Sequence, residues 1–229
     1  MTEAQLQARL HILLEGDSDT PTATGDEYLL RRAILNQGIS TWEKEAQWRE
    51  LFVKLTDAAD GDKTTVATQV AYDCPTDFLF PLGYVRLTTG TSCVYYPFKT
   101  LESYQLVAST DTTTKFYYVT GNPQDGYDIN IHPAASATGT TITYEYYKTA
   151  DALSAVGTIP ELSDPLFLID YALHILRRRK GDVSGSRESL VEAAARLDVM
   201  KDRNAMTPWY TKTAVPDVDF ARGVGGFGV

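Results

Sequence analysis

Long apolar runs are missing from this chain. Nowhere in its 229 residues does a stretch approach the roughly 20 apolar residues that span a bilayer, so no membrane helix and no membrane partner are expected. The opening Met1-Thr2-Glu3-Ala4-Gln5 lacks the basic and apolar regions of a signal peptide, and export by that route is not expected either. A basic surplus is also absent. Lys and Arg number 21 against 30 Asp and Glu, a net charge of −9. Proteins that grip nucleic acid draw most of their affinity from cationic contacts to phosphate, so specific DNA binding is disfavoured. An acidic wall around DNA stays compatible with that charge, as does an acidic surface that serves solubility.

Cysteine and histidine are scarce. The two cysteines, Cys74 and Cys93, are not in C-x-x-C spacing, and without an export signal both are read as reduced thiols. The three histidines, His11, His132 and His174, fall in separate elements and form no H-x-x-x-H or H-E-x-x-H pair. Asp17-x-Asp19 lacks the glycine and distal glutamate of a calcium loop. No G-x-S-x-G elbow occurs. The glycine run Gly223–Gly228 has no helix after it to hold a phosphate. No catalytic residue, no metal ligand set and no cofactor site is assigned, and an enzyme is not expected.

What is present falls into distinct stretches. Leu6, Leu10, Leu13 and Leu14 mark the buried face of a helix over about Thr2–Glu15. A second helix starts near Asp26, with Leu30, Ala33, Ile34 and Gln37 along one side. Gly38, followed by the capping-box spacing of Ser40 and Glu43, favours a fresh helix there, carrying Trp48, Leu51, Phe52 and Leu55 at i, i+3, i+4, i+7. Trp42 and Trp48 are read as core residues rather than ligand platforms.

Near Lys63 the composition turns to Thr, Tyr and Val, and the period falls toward two. Expected strands are Thr65–Tyr72, Tyr84–Thr88, Ser92–Tyr96, Tyr104–Ala108, Lys115–Thr120, Asp128–His132 and Thr140–Tyr147. In the last, Ile142, Tyr144 and Tyr146 share a face. Turn signals between short strands predict an antiparallel sandwich or barrel. Helical pattern returns after Ile159-Pro160-Glu161, with Leu166, Ile169, Leu173 and Leu176 in one stripe. The basic run Arg177–Lys180 suits a helix C-terminus before Gly181. A last helix, Ser186 to Ala205, is expected to turn Leu190, Ala194, Leu197 and Met200 inward.

From Thr207 to Val229 periodicity is lost. This segment holds Trp209, Tyr210, Phe220 and Phe227 among glycines and prolines. A glycine-rich stretch buries too little alone to offset its ordering entropy, while a few large aromatics suffice to dominate a docking site. Extended, it reaches on the order of 75 Å at roughly 3.3 Å per residue. The fold expected is α+β. Residues 1–62 and 151–206 form one helical bundle, 63–150 form an inserted β domain, and 207–229 form an extended arm.

Several ordered features resemble the head-to-tail adaptor, or head-tail connector, proteins of tailed bacteriophages. These are Ile39-Ser40-Thr41-Trp42-Glu43-Lys44-Glu45 leading to Trp48, and Tyr72-Asp73-Cys74-Pro75-Thr76-Asp77-Phe78-Leu79, which is similar to the family's Y-x-x-P-x-D-F. Then come Tyr127–Ala134, the strand end Tyr144-Glu145-Tyr146-Tyr147, Ile159-Pro160-Glu161, Asp170-Tyr171-Ala172 and Lys180-Gly181-Asp182. The resemblance covers most of the chain. It implies a homo-oligomeric ring, commonly a dodecamer, in the virion neck around a DNA channel. Portal protein would lie above it and tail or nozzle proteins below, with assembly in the host cytoplasm. DNA would pass without specific binding, and Trp209, Tyr210, Phe220 and Phe227 would dock on the portal. A competing expectation is a carbohydrate- or receptor-binding module of a phage tail, stacking ligands on Tyr95, Tyr96, Tyr117, Tyr118, Tyr146 and Tyr147.

Overall fold

A computed structural model describes residues 1–55, 64–88, 93–98 and 113–206. It divides into two compact units, one of Met1–Leu51 with the residues from Ala150, the other of Phe52–Thr149. The first unit is helical: α1 (Glu3–Glu15), α2 (Asp26–Glu45), α3 (Leu166–Arg179) and α4 (Val183–Met206). The second holds β1 (Phe52–Leu55), β2 (Ala71–Asp73), β3 (Phe78–Thr88), β4 (Cys93–Pro97), β5 (Phe116–Asn122), β6 (Gly126–His132) and β7 (Thr141–Lys148).

Helix α1 starts on a capping box in which Thr2 and Gln5 each bond the other's backbone N–H. Leu6 and Leu10 are fully buried, but Leu13 is 46% exposed, against the expected stripe. Polar residues take the rest of the buried face. Glu3 pairs with Arg32 at 2.6 Å, and the Gln7 amide donates to the Tyr28 carbonyl at 3.2 Å. His11 sits between Asp17 and Arg31. A guanidinium only donates, so His11 Nδ1 accepts from Arg31 and Nε2–H donates to Asp17.

Helix α2 runs unbroken through Gly38 and Ser40, so the fresh helix expected there does not exist. Gly38 is needed for packing. A Cβ on it would lie 3.0 Å from Leu168 Cδ2 and 3.1 Å from Tyr171 Cδ1 of α3, so its missing side chain lets the helices close. The chain then leaves helix altogether. Ala46 is extended, Arg49–Leu51 make one 3₁₀ turn, and Phe52–Leu55 pair with β7. Phe and β-branched Val suit that pleated ladder, which outweighs the helical spacing of Trp48, Leu51, Phe52 and Leu55.

Helix α4 also departs from expectation. Leu190 is 44% exposed and Ala194 faces solvent, while Ser186, Ser189, Ala193 and Met200 are buried. The small residues let α4 lie close on α3. Their hydroxyls bond across the seam as well, Ser186 Oγ to the His174 carbonyl and Arg177 to Ser189 Oγ. The basic end of α3 has structural partners: Arg177 reaches the Gly185 carbonyl and Lys180 pairs with Glu15 at 2.5 Å. Gly181 at φ +85° makes the left-handed exit.

In place of the expected sandwich or barrel, the described residues form one curled seven-stranded sheet, ordered β1-β7-β3-β4-β5-β6-β2. It is mixed rather than antiparallel throughout, because β4 and β5 pair in parallel. Curling brings distant strands together, so that Phe78 of β3 packs on Tyr127 of β6 at 5.6 Å. Ile142, Tyr144 and Tyr146 of β7 share the buried face, as their alternation requires. The strand expected over Thr65–Tyr72 shrinks to Ala71–Asp73. Thr65 spends its hydroxyl on the Ala137 carbonyl and the Thr140 N–H, and Thr68 turns at φ +69°. Strand β3 extends back through Pro81, where among the described residues its ladder runs to β7 alone. Tyr104–Ala108 lies outside the described residues.

Candidate functional site

The residues marked for docking, Trp209, Tyr210, Phe220 and Phe227, lie outside the described residues. What is described is the root from which that segment departs. Near its last turn, α4 is bonded to the linker that leads out of the helical unit. The Asn204 amide donates to the Gln47 carbonyl at 2.8 Å, and its Oδ1 accepts from the Arg49 N–H at 3.2 Å. One turn earlier, Lys201 pairs with Glu45 at 2.5 Å. Trp48 stacks on Trp42 with centroids 5.0 Å apart, and its indole N–H donates to the Trp42 carbonyl at 2.6 Å, closing an orphan acceptor of the α2 terminus.

The returning chain is held at the same helix. Asn36 bonds both the N–H and the carbonyl of Leu153, at 2.8 and 3.1 Å. Glu43 accepts from the Ala150 N–H, and burial pushes its carboxyl above the ordinary value. Glu161 accepts from the Asp151 N–H at 3.2 Å. The stretch after it rises to close α1, because the Thr158 and Val156 carbonyls accept from the Glu3 and Ala4 N–H groups. Both connections and the arm root are thus fixed by side chains from α2 and α4.

Tyr72, Asp77 and Phe78 of the Tyr72–Phe78 stretch have structural partners. The Tyr72 hydroxyl bonds carbonyls of the turn before β2, and Asp77 accepts from the Tyr146 hydroxyl at 3.1 Å. The Asp77 carbonyl accepts from the Thr149 N–H at 2.7 Å, and Phe78 is 2% exposed among Tyr127, Tyr144 and Tyr146. Cys74 is a buried thiol beside the Tyr144 hydroxyl, whose acidity burial suppresses. The side chain of Cys93 lies outside what is described.

Four of the six tyrosines named as stacking platforms, Tyr95, Tyr117, Tyr146 and Tyr147, are buried. Tyr96 remains exposed, against Tyr84 with centroids 6.5 Å apart. His174 is held by Ser186, and the Asp170 carboxylate takes Arg196 at 2.5 Å to pin α3 to α4. Among the described residues no group of three His, Cys, Asp or Glu is placed to hold a metal, and no helix is long and apolar enough to cross a membrane. The polar clamps around Asn36, Glu43 and Asn204 escaped sequence reading. Isolated polar residues on amphipathic helices carry no local mark of a tertiary backbone partner.

A family model described as SU10 adaptor protein matches residues 1–215. The match takes in Trp209 and Tyr210 and stops short of Phe220 and Phe227. No curated protein matches the chain.

Proposed function

The chain belongs to the SU10 adaptor family of phage head-to-tail adaptors, and from that premise we propose that it forms a homo-oligomeric ring, dodecameric in number, between portal and tail. The family is structural, which places the protein in the virion and gives its partners as portal and tail proteins. The ring lines part of the DNA ejection channel, and the net charge of −9 supports that reading, since carboxylates on the lumen repel passing phosphates. The helical unit, residues 1–51 and 150–206, acts as the ring-forming domain, the unit of 52–149 as the inserted domain turned outward or toward the tail, and 207–229 as the arm. Trp209, Tyr210, Phe220 and Phe227 anchor that arm on the portal.

The match over nearly the whole chain carries the proposal. Deleting Thr207–Val229 leaves a folded subunit that docks poorly on isolated portal rings. Normal docking of the truncated chain discards the anchoring arm. The intact protein retards duplex DNA weakly or not at all in a gel shift, and tight, salt-sensitive binding sinks the smooth-channel reading.

A further inference from the structure

Charged groups from three elements of the helical unit meet around the ring of His11. Its Nε2 lies 2.6 Å from Asp17 Oδ1, on the connection between α1 and α2, and its Nδ1 lies 3.1 Å from Arg31 Nη1 on α2. His11 is 7% exposed and Arg31 1%, while the connection over 16–25 is largely exposed. The remaining charges of the site gather on Arg31. Glu27, one turn before it on α2, bonds its guanidinium, and Glu15 at the end of α1 lies 3.8 Å from it. Lys180, just past α3, pairs in turn with Glu15.

This arrangement suits one protonation state of the ring. A guanidinium has no lone pair to give, so Nδ1 must offer its own, and the single ring proton sits on Nε2 facing Asp17. A second proton would go on Nδ1. It would replace an acceptor with an N–H aimed at another N–H, and put two cationic groups 3.1 Å apart in a buried place. The bond to Asp17 meets no such conflict, because Nε2–H stays a donor and then joins a cation to a carboxylate. Asp17 is ionised for that role: the Asp19 N–H, then His11, hold its carboxyl below the ordinary value. Carboxylates, arginine and lysine ordinarily keep their charge between about pH 8 and 5, the range in which an imidazole changes its own.

We infer that His11 is a proton-operated latch between α2 and the connection that precedes it. Neutral, the ring ties Arg31 to Asp17; protonated, it keeps Asp17 and releases Arg31, which stays with Glu27 and Glu15. The release is local. Toward the start of α1 the two helices are held by bonds that the proton does not touch, Glu3 to Arg32 and the Gln7 amide to the Tyr28 carbonyl. The latch works within one subunit and does not depend on the ring reading.

The test uses the full-length free subunit. Nitrogen NMR at about pH 8 should find the His11 proton on Nε2, and a ring protonated on Nδ1 at that pH overturns the latch. Amide hydrogen exchange, corrected for intrinsic rate, then compares about pH 8 with about pH 5.5. Exchange over 29–33 should rise about tenfold on acidification, the factor carried by one lost hydrogen bond to a charged group, while Leu6 and Gln7 hold. In His11→Gln the rise should vanish, because an amide accepts from Arg31 and donates to Asp17 without titrating. Unchanged protection in the wild type, an equal rise in His11→Gln, or loosening that spreads to Leu6 and Gln7 each overturns it. The ring spectrum and the wild-type exchange need no variant, so they decide the matter even where His11→Gln does not fold.

Discussion

The two units both bury an apolar core but fasten it differently. The β unit closes on itself. Its sheet curls until rings from different strands meet, and Phe78, Tyr144 and Tyr146 are each at most 5% exposed. The helical unit has an apolar core of its own, with Leu35, Trp42 and Leu168 buried, and adds polar ties, namely Glu3 with Arg32, His11 with Arg31, Asn36 with Leu153 and Asn204 with the linker. Large apolar residues stay exposed in both units, Ile12 and Leu29 in one, Val66 and Leu79 in the other. Burial of aromatic area is non-directional and completes a self-contained core. Hydrogen-bonded seams add directional constraints to the packing.

That contrast can be broken at its strongest point first. Phe78→Ala removes the ring shared by Tyr127, Tyr144 and Tyr146 and should cost about 3–5 kcal/mol. Thermal unfolding followed by near-ultraviolet circular dichroism should show early loss of the tyrosine signal with helical ellipticity retained. Joint loss of both would mean that the units do not unfold separately.

Gly38→Val comes next. Its side chain meets fully buried Leu168 and the Tyr171 ring, and overpacking of this kind costs about 1–3 kcal/mol. The loss should appear in the helical transition, with the β transition unmoved; an unchanged helical midpoint would show that α2 and α3 separate without penalty.

Asn204→Ala removes two bonds to the linker and should cost about 1 kcal/mol. Hydrogen exchange should quicken at Arg49 and its neighbours with little change in midpoint. Wild-type protection there would discard the clamp.

The smallest effect is acid dependence within the helical unit. The Lys180 hydrogen bond holds Glu15 below its ordinary 4.5, and the Asp19 N–H, then His11, hold Asp17 below its ordinary 3.8. Depressed carboxylate values stabilise above the unfolded value, and that support fades as pH falls from there through the folded value. Glu43 runs the other way. Burial raises it, so the folded state gains as pH falls from its folded value toward the ordinary 4.5. Between pH 5 and 3, exchange corrected for intrinsic rate should rise around 12–18 while 150–153 holds or tightens. Parallel loosening of both sites would contradict these assignments.

Much of the architecture was legible in the chain itself. The strand Thr141–Lys148 and helices α1 and α3 follow from local pattern, whereas the turn from helix to strand, expected near Lys63, comes at Phe52. The misreadings share a cause. Gly38 looked like a helix stop and is a contact with α3; Leu190 and Ala194 looked inward and face out; Trp48 to Leu55 looked helical and became a 3₁₀ turn and a strand. In each case the deciding partner is remote in sequence. Of the candidate site, Trp209, Tyr210, Phe220 and Phe227 were named from the sequence and lie outside the described residues. The clamp at their root depends on Asn204 meeting Gln47, 157 positions away.

By itself the sequence determined the α+β class, the scarcity of metal- and nucleophile-bearing residues, the acidic charge and the ordered features that mark the family, because these depend on composition and on neighbours a few positions apart. Tertiary structure alone decided which amphipathic faces are spent inside the subunit, how the connections are fastened, and that the sheet is mixed and curled. Periodicity states that a helix has an apolar stripe. Only the packing of Gly38 against Leu168 and of Ser186 against His174 chooses which stripe the chain covers and which it leaves exposed.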